Sequence, residues 1–167
     1  MRDILIMGTR AGELLKARRE LVAIGETSAG GLISASLLAV PGASAYYAGG
    51  AITYSKRAIR GLVDLSMDAL REQGIRSSSE PYAALLAQTV RAKHGHVTWG
   101  LSETGAAGPQ GNPYGDPAGH TCLAVDGPVR LVRTLRTGSD DRVANMWAFA
   151  EAALALLVEA LEAAPKV

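Results

Sequence analysis

Apolar and polar positions follow two different periods along the chain, and the changes between these periods predict a succession of helices and strands. Apolar residues recur at near-helical spacing before Arg18 and Arg19, which predicts an N-terminal helix that ends there. The apolar run 21–24 predicts a short buried strand instead. The same reasoning predicts further helices at 30–39, 56–63, 66–73, 77–93 and 142–162, and further strands at 49–55, 97–104, 120–125 and 129–137.

The order of these elements predicts the fold class. Helices separate the early strands, whereas Asp126-Gly127-Pro128 joins the last two as a hairpin. Early crossovers with a late hairpin favour a mixed sheet covered by helices on both faces, a three-layer α/β/α sandwich. The 167 residues contain no internal repeat and suit one domain, 1–167.

The composition of the chain argues against several classes of function. A formal charge of +1 gives no general attraction to nucleic acid or to an anionic membrane. Cys122 is the single cysteine, which excludes an internal disulfide and fits a reducing compartment. No run approaches the ~20 consecutive apolar residues of a membrane helix. We therefore expect a cytoplasmic protein that binds neither nucleic acid nor a membrane, and alanine-rich helix faces are compatible with a homo-oligomer.

Three hydroxyl-bearing segments fall where predicted strands end. They are GETSAGG at 25–31, TYSK at 53–56 and SETGAAGP at 102–109. The last segment opens a loop, 105–119, that holds five glycines and three prolines. Ligands of α/β proteins collect at strand ends, and long loops in compact domains are often functional. The sequence thus predicts a ligand site where these segments meet.

These segments resemble the CinA C-terminal domain family, which includes the nicotinamide mononucleotide amidohydrolases. The resemblance covers about residues 12–162 and is carried by the run GETSAGGLISASLLAVPGASAYYAGGAITYS, then by TGAAGPQG and GSDDR. It implies the α/β fold of that family. It also implies hydrolysis of the carboxamide of nicotinamide mononucleotide, which gives nicotinate mononucleotide and ammonia.

The resemblance places the catalytic residues at positions where this chain departs from the family. The serine thought to be the nucleophile falls on Thr27, so we expect Thr27, or Ser28 in its place, to attack the amide. The family's lysine base falls on Ile59. Because Lys56 lies three residues earlier on the same predicted helix face, we expect it to act as a displaced base. The alternatives are that Thr27 and Ser28 only cap the next helix, and that Lys56 is solvated.

Further residues are expected to bind the substrate. The amides of Gly30 and Gly31, at a helix N-terminus, would stabilise an oxyanion or bind a phosphate. The resemblance assigns Tyr54, Thr104, Gly105 and Arg142 to the same site. The guanidinium of Arg142 suits a phosphate, although pairing with Asp140, Asp141 or a glutamate is the alternative.

The roles expected of Glu26 and of the three histidines follow from their positions. Glu26 would orient the 25–31 turn by accepting backbone hydrogen bonds, and His120 would be either an acid–base group or a surface residue at a strand edge. His94 and His96 lack further ligands at metal-binding spacing, so we expect neither a metal nor a cofactor.

Two functions from different classes remain open. One is hydrolysis of the nucleotide's amide. The other is a catalytically silent relative that binds a nucleotide without turnover, which the departures at Thr27, Ile59 and Asp116 (a lysine in the family) favour. A hydrolase for another small amide is a third possibility.

Overall fold

The computed structural model describes residues 2–165, and each predicted helix and strand is present there, with shifted ends. The strands are β1 (Val22–Glu26), β2 (Tyr47–Ile52), β3 (Trp99–Ala106), β4 (His120–Asp126) and β5 (Leu131–Arg136). The helices are α1 (Arg2–Arg18), α2 (Leu32–Leu38), α3 (Lys56–Val63), α4 (Met67–Glu72), α5 (Glu80–Lys93) and α6 (Arg142–Ala163), and a 3-10 turn spans Ala43–Ala45. The second strand ends at Ile52, before its predicted end, so the TYSK segment lies beyond it.

The five strands form one mixed sheet in the order β2-β1-β3-β4-β5. Strand β1 runs parallel to β2 and β3, whereas β4 is antiparallel to both β3 and β5. The carboxyl ends of β1, β2 and β3 therefore share one edge of the sheet with the start of β4. This carboxyl edge carries the three predicted strand-end segments.

Helices cover both faces of the sheet, which confirms the three-layer prediction. On one face α1, α2 and α6 bury apolar side chains against Ile24, Trp99 and Leu101. On the other face α3, α4 and α5 pack over Ala23 and Val97. The sheet is therefore enclosed, and its carboxyl edge is the place where loops from both layers meet.

Helix α6 has the length and composition of a membrane-spanning segment. An 18-residue window of it has a mean hydropathy of 1.4. Its buried residues include Phe149, Leu154 and Leu157, which pack into the core against α1 and the sheet. Packing against protein explains this apolar composition.

Candidate functional site

The buried carboxylate of Glu26 holds the turn after β1 through hydrogen bonds. One Glu26 oxygen accepts the Gly31 N–H at 2.9 Å, and the other accepts the N–H and hydroxyl of Ser34 at 3.0 and 2.7 Å. Glu26 thus caps α2, whose N-cap residue Gly31 has a φ of 98°. The predicted role of Glu26 is confirmed, and the alternative that Thr27 and Ser28 cap the helix is wrong.

A second buried carboxylate, that of Glu103 on β3, supports the same turn. One of its oxygens accepts the N–H groups of Thr27 and Ala29 at 3.0 and 2.9 Å, and the other accepts the Thr121 hydroxyl at 2.8 Å. Burial raises the pKa of Glu103 to about 7, with a smaller rise from the Glu26 charge, against the lowering effect of these donors. The sequence analysis missed Glu103, although a carboxylate inside the buried strand segment SET was a signal.

Thr27 and Ser28 lie at the bottom of a depression in the carboxyl edge. The Thr27 hydroxyl donates to the main-chain carbonyl of Glu103 at 3.2 Å, and the Ser28 hydroxyl donates to that of Gly105 at 2.6 Å. The two residues are 8% and 6% exposed. Their hydroxyls are therefore oriented by main-chain acceptors, and both residues face an opening rather than sealed core.

This depression, the inner cleft, brings together segments that are distant in the sequence. Its volume is about 140 Å³. Six of the predicted site residues line it, and they are Thr27, Ser28, Tyr54, Lys56, Thr104 and Gly105. The convergence of the three strand-end segments is thus observed.

A neighbouring depression, the outer cleft, lies against the glycine-rich loop. Its volume is about 250 Å³, and it shares Ser28, Tyr54 and Gly105 with the inner cleft. Arg142 also lines it and donates to the Gly108 carbonyl at 2.6 Å and to the Tyr54 hydroxyl at 3.0 Å. The guanidinium is therefore fixed at the wall of this cleft by the loop and by Tyr54, not by a neighbouring carboxylate.

Lys56 lies at the mouth of the inner cleft. Ser55 caps α3 by accepting the Ala58 N–H at 3.2 Å, so Lys56 is the first residue of that helix. Its ammonium lies 3.4 Å from a carboxylate oxygen of Asp68, and its side chain is 70% exposed. Ile59, which the family resemblance places at the lysine position, is 5% exposed, packs into the core beneath α3 and also lines the inner cleft.

The backbone amides of Gly30 and Gly31 already have acceptors. The Gly30 N–H donates to the Thr27 carbonyl at 3.0 Å, and the Gly31 N–H donates to Glu26. Neither glycine is part of the lining of the inner or the outer cleft. Use of these amides for an oxyanion requires that both bonds be given up.

The far wall of the inner cleft is a polar cluster around Ser78. The Thr104 hydroxyl accepts the Ser78 N–H at 3.2 Å, and a ring nitrogen of His120 lies 2.9 Å from the Ser78 carbonyl. His120 is 4% exposed, so the expectation of a surface histidine is wrong. Asp116 binds Arg76 through two hydrogen bonds of 2.6 and 3.1 Å. Burial acts to raise the pKa of Asp116, but its hydrogen bonds lower it overall.

Within residues 2–165, no three His, Cys, Asp or Glu side chains are grouped so that they could hold a metal ion. The two clefts are lined by hydroxyl-bearing side chains, by the side-chain amides of Gln110 and Asn112, by Lys56 and Arg142, and by apolar residues such as Met67. Together with the enclosed mixed sheet, this site defines a three-layer α/β protein with a two-part cleft at its carboxyl edge.

The chain belongs to the CinA C-terminal domain family, whose sequence model matches residues 6–161. It is 39% identical over 137 residues to a CinA-like protein of Anaeromyxobacter sp. strain K, covering 81% of this chain and 33% of that protein. It is 34% identical over 158 residues to a CinA-like protein of Desulforapulum autotrophicum, covering 93% of this chain and 36% of that protein. The chain thus spans about a third of the length of these relatives.

Solved structures show the same fold. A competence-damaged protein (CinA) superfamily protein from Klebsiella pneumoniae superposes with a TM-score of 0.86 at 25% identity, covering 95% of this chain and 98% of that chain. A competence/damage-inducible protein from Agrobacterium tumefaciens gives a TM-score of 0.85 at 25% identity, covering 96% of each chain. The predicted family and fold class are confirmed.

Proposed function

We propose that this chain hydrolyses the carboxamide of nicotinamide mononucleotide to give nicotinate mononucleotide and ammonia, in the cytoplasm and without a metal or an organic cofactor. The observation that carries the proposal is the position of Ser28 between two adjoining clefts. The inner cleft, about 140 Å³, is close to the ~150 Å³ cavity that accommodates a benzene ring. The outer cleft offers Arg142, whose fork of donors suits a phosphate.

The reaction assigned to this site is acyl transfer through an ester. The Ser28 oxygen attacks the carboxamide carbon, the carbon–nitrogen bond breaks, and ammonia leaves with the hydroxyl proton. Water then cleaves the ester, which releases the carboxylate and restores the serine hydroxyl. Ser28 is preferred to Thr27 as the nucleophile because Ser28 lines both clefts, whereas Thr27 lines only the inner one.

A base must take the hydroxyl proton, and Lys56 is the candidate at the cleft mouth. Lys56 must first leave Asp68 and be deprotonated. The exposed pair, 3.4 Å long, opposes this movement only weakly. In this proposal Tyr54 and Gly105 position the nucleotide between the clefts, and Thr104 keeps the far wall in place through its bond to Ser78.

The second candidate function is nucleotide binding without turnover. It is favoured by the burial of Ile59 at the family's lysine position and by the pairing of the Lys56 ammonium with Asp68. In the observed geometry both candidate nucleophiles donate to carbonyls, which accept no proton for catalysis.

One assay separates the two functions. Ammonia release from nicotinamide mononucleotide is measured for the wild type and for the Thr27→Ala, Ser28→Ala and Lys56→Ala variants. Hydrolysis at this site predicts release by the wild type and its loss in Ser28→Ala and Lys56→Ala. Thermal stabilisation by the nucleotide without ammonia supports the binding protein.

The matched control is Ser36→Ala. The Ser36 hydroxyl donates to the Leu32 carbonyl inside α2, away from both clefts, so this variant should keep the wild-type rate. Unchanged release in all three site variants would contradict the assignment of the chemistry to this turn.

A further inference from the structure

Two buried hydroxyls in the lining of the inner cleft have no hydrogen-bond partner among the described residues apart from a contact with each other. They belong to Thr53, just beyond β2, and to Tyr82, in the first turn of α5. Both residues are 0% exposed. Other buried hydroxyls are satisfied, as when Ser102 donates to the Ala83 carbonyl at 2.6 Å. Because incomplete hydrogen bonding of a buried polar group destabilises the protein, such a pair beside a cleft has hydrogen-bonding capacity to offer a ligand.

Backbone hydrogen bonds anchor both residues beside the cleft. The Thr53 N–H donates to the Glu26 carbonyl at 2.8 Å, which anchors the residue beside β1. Ser79 caps α5 by accepting the Tyr82 N–H at 3.3 Å. Burial raises the pKa of Tyr82 to about 12, although a hydrogen bond with the Thr53 hydroxyl acts to lower it. Tyr82 therefore stays protonated at neutral pH, and each hydroxyl can both donate and accept a hydrogen bond.

We propose that Thr53 and Tyr82 are specificity-determining residues, which bind the neutral carboxamide of the ligand in the inner cleft and discriminate against the corresponding carboxylate. The inference rests on the proposed function and deepens it. A primary carboxamide presents two N–H donors and an acceptor oxygen, which complement the donor and acceptor positions that the two hydroxyls leave open after their contact with each other.

The difference in charge between the carboxamide and the carboxylate explains the expected discrimination. Among the described residues that line the inner cleft, Lys56 is the charged one, and its ammonium lies at the solvent-exposed mouth beside Asp68. A carboxylate placed against Thr53 and Tyr82 would lose its hydration without gaining a cation. Burial of such a charge costs far more than burial of a neutral amide. A hydrolase with this arrangement would bind its substrate in preference to its acid product.

Contact with the ligand requires a small opening of the cleft. In this structure the two oxygen atoms are covered from water. Met67 of α4 lines the same cleft, and an unbranched thioether side chain is the type that adapts most readily to a new neighbour. The ligand's amide would then occupy the space next to both hydroxyls.

The test compares Tyr82→Phe and Thr53→Val with their parent. Each change removes the hydroxyl and keeps the approximate shape of the side chain. Binding of nicotinamide mononucleotide and of nicotinate mononucleotide is measured by calorimetry in a Ser28→Ala background, so that turnover does not consume the ligand. We expect the parent to bind the amide roughly tenfold more tightly than the acid. Each variant should lose about 3- to 10-fold in affinity for the amide, with little change for the acid.

Tyr46→Phe is the matched control. The Tyr46 hydroxyl donates to the Leu37 carbonyl at 2.5 Å in the opposite helical layer. Its loss should lower the melting temperature and leave both affinities unchanged. Tyr82→Phe should lower the affinity for the amide and change the melting temperature less, because in the ligand-free protein it removes only the contact with the Thr53 hydroxyl.

The possible outcomes separate this inference from the proposed function. If wild-type protein releases ammonia but the variants keep the parent's preference, or the parent shows none, the inference is overturned and the hydrolase stands. If ammonia is not released, but free nicotinamide stabilises the wild type and fails to stabilise Tyr82→Phe, the subsite stands and the hydrolase is overturned. No binding of either amide overturns both.

Discussion

At the scale of single residues, the proposed hydrolysis depends on whether Lys56 can leave Asp68 and act as the base. The Asp68→Asn variant removes the carboxylate that holds the ammonium at 3.4 Å. We expect ammonia release to rise about 2- to 5-fold, because Lys56 then reaches the cleft without breaking an ion pair. The free energy of unfolding should barely change, since both side chains are exposed.

Lys56→Arg is the complementary variant. It keeps the positive charge and the pair with Asp68, but a guanidinium stays protonated and cannot serve as a base. Ammonia release should fall to the level of Lys56→Ala. A wild-type rate in Lys56→Arg would show that the proton goes elsewhere.

Arg142 is the residue expected to distinguish a nucleotide from a free pyridine amide. Its guanidinium is held by the Gly108 carbonyl and the Tyr54 hydroxyl, a two-armed contact that a lysine cannot reproduce. In Arg142→Lys, we expect the affinity for nicotinamide mononucleotide to fall roughly tenfold and that for free nicotinamide to stay unchanged. Calorimetry with both ligands checks this.

The exposed Arg133, which pairs with Glu159, provides the control for Arg142. Arg133→Lys should leave both affinities at the wild-type level. An equal loss for both ligands in Arg142→Lys would mean that Arg142 maintains the shape of the clefts and does not contact the phosphate.

At the scale of elements, α2 depends on a single carboxylate. The helix has seven residues, too few to be stable by itself, and its first turn donates to Glu26. In Glu26→Gln the side-chain nitrogen cannot accept the Ser34 N–H and hydroxyl. We expect the free energy of unfolding to fall by about 1–3 kcal/mol, measured by urea denaturation.

Glu13→Gln on the exposed face of α1 is the control for this change, and it should have almost no effect. If the two variants were equally stable, the hydrogen bonds to Glu26 would contribute little and the 25–31 turn would be held by packing alone.

The elements could be predicted because their signals are local. Ser55, Ser66 and Ser79 each precede a helical pattern, and each accepts a backbone N–H in the structure. Burial on one face repeats with the period of the element, so a short window of sequence suffices. The convergence of the strand ends followed from the rule for parallel strands.

The long-range contacts that hold the site residues in place could not be predicted in this way. Glu103 binds the Thr27 amide across 76 residues, and no local pattern reports that contact. The incomplete hydrogen bonding of Thr53 and Tyr82 is likewise visible only when the segment after β2 and the first turn of α5 meet in the lining of the inner cleft. Burial of His120 depends on the loop that returns Asp116 and its neighbours over the strand, which the loop's composition does not specify.

At the scale of the whole molecule, Glu103 links folding to pH. Its pKa is about 7 in the folded protein against an ordinary value of 4.5, and the cause is burial. Between these two values the unfolded chain loses the proton of Glu103 while the folded protein keeps it. Raising the pH through this range therefore favours unfolding, and above about pH 7 the loss is complete.

We expect the Glu103 contribution to lower the free energy of unfolding by on the order of 3 kcal/mol between pH 4.5 and 7. Glu103→Gln isolates it, because the amide oxygen can still accept from Thr27 and Ala29 and the side chain no longer titrates. The free energy of unfolding is measured by urea denaturation at several pH values. As the pH rises, that of the wild type should fall relative to that of the variant. The pKa of Asp116 is lowered in the folded protein, so its carboxylate stabilises the fold above its ordinary pKa and this stabilisation is lost only at more acidic pH. Asp116 therefore does not interfere with the change between pH 4.5 and 7. Parallel pH profiles for the two proteins would show that the carboxyl group is not buried beneath the turn in the way the hydrogen bonds describe.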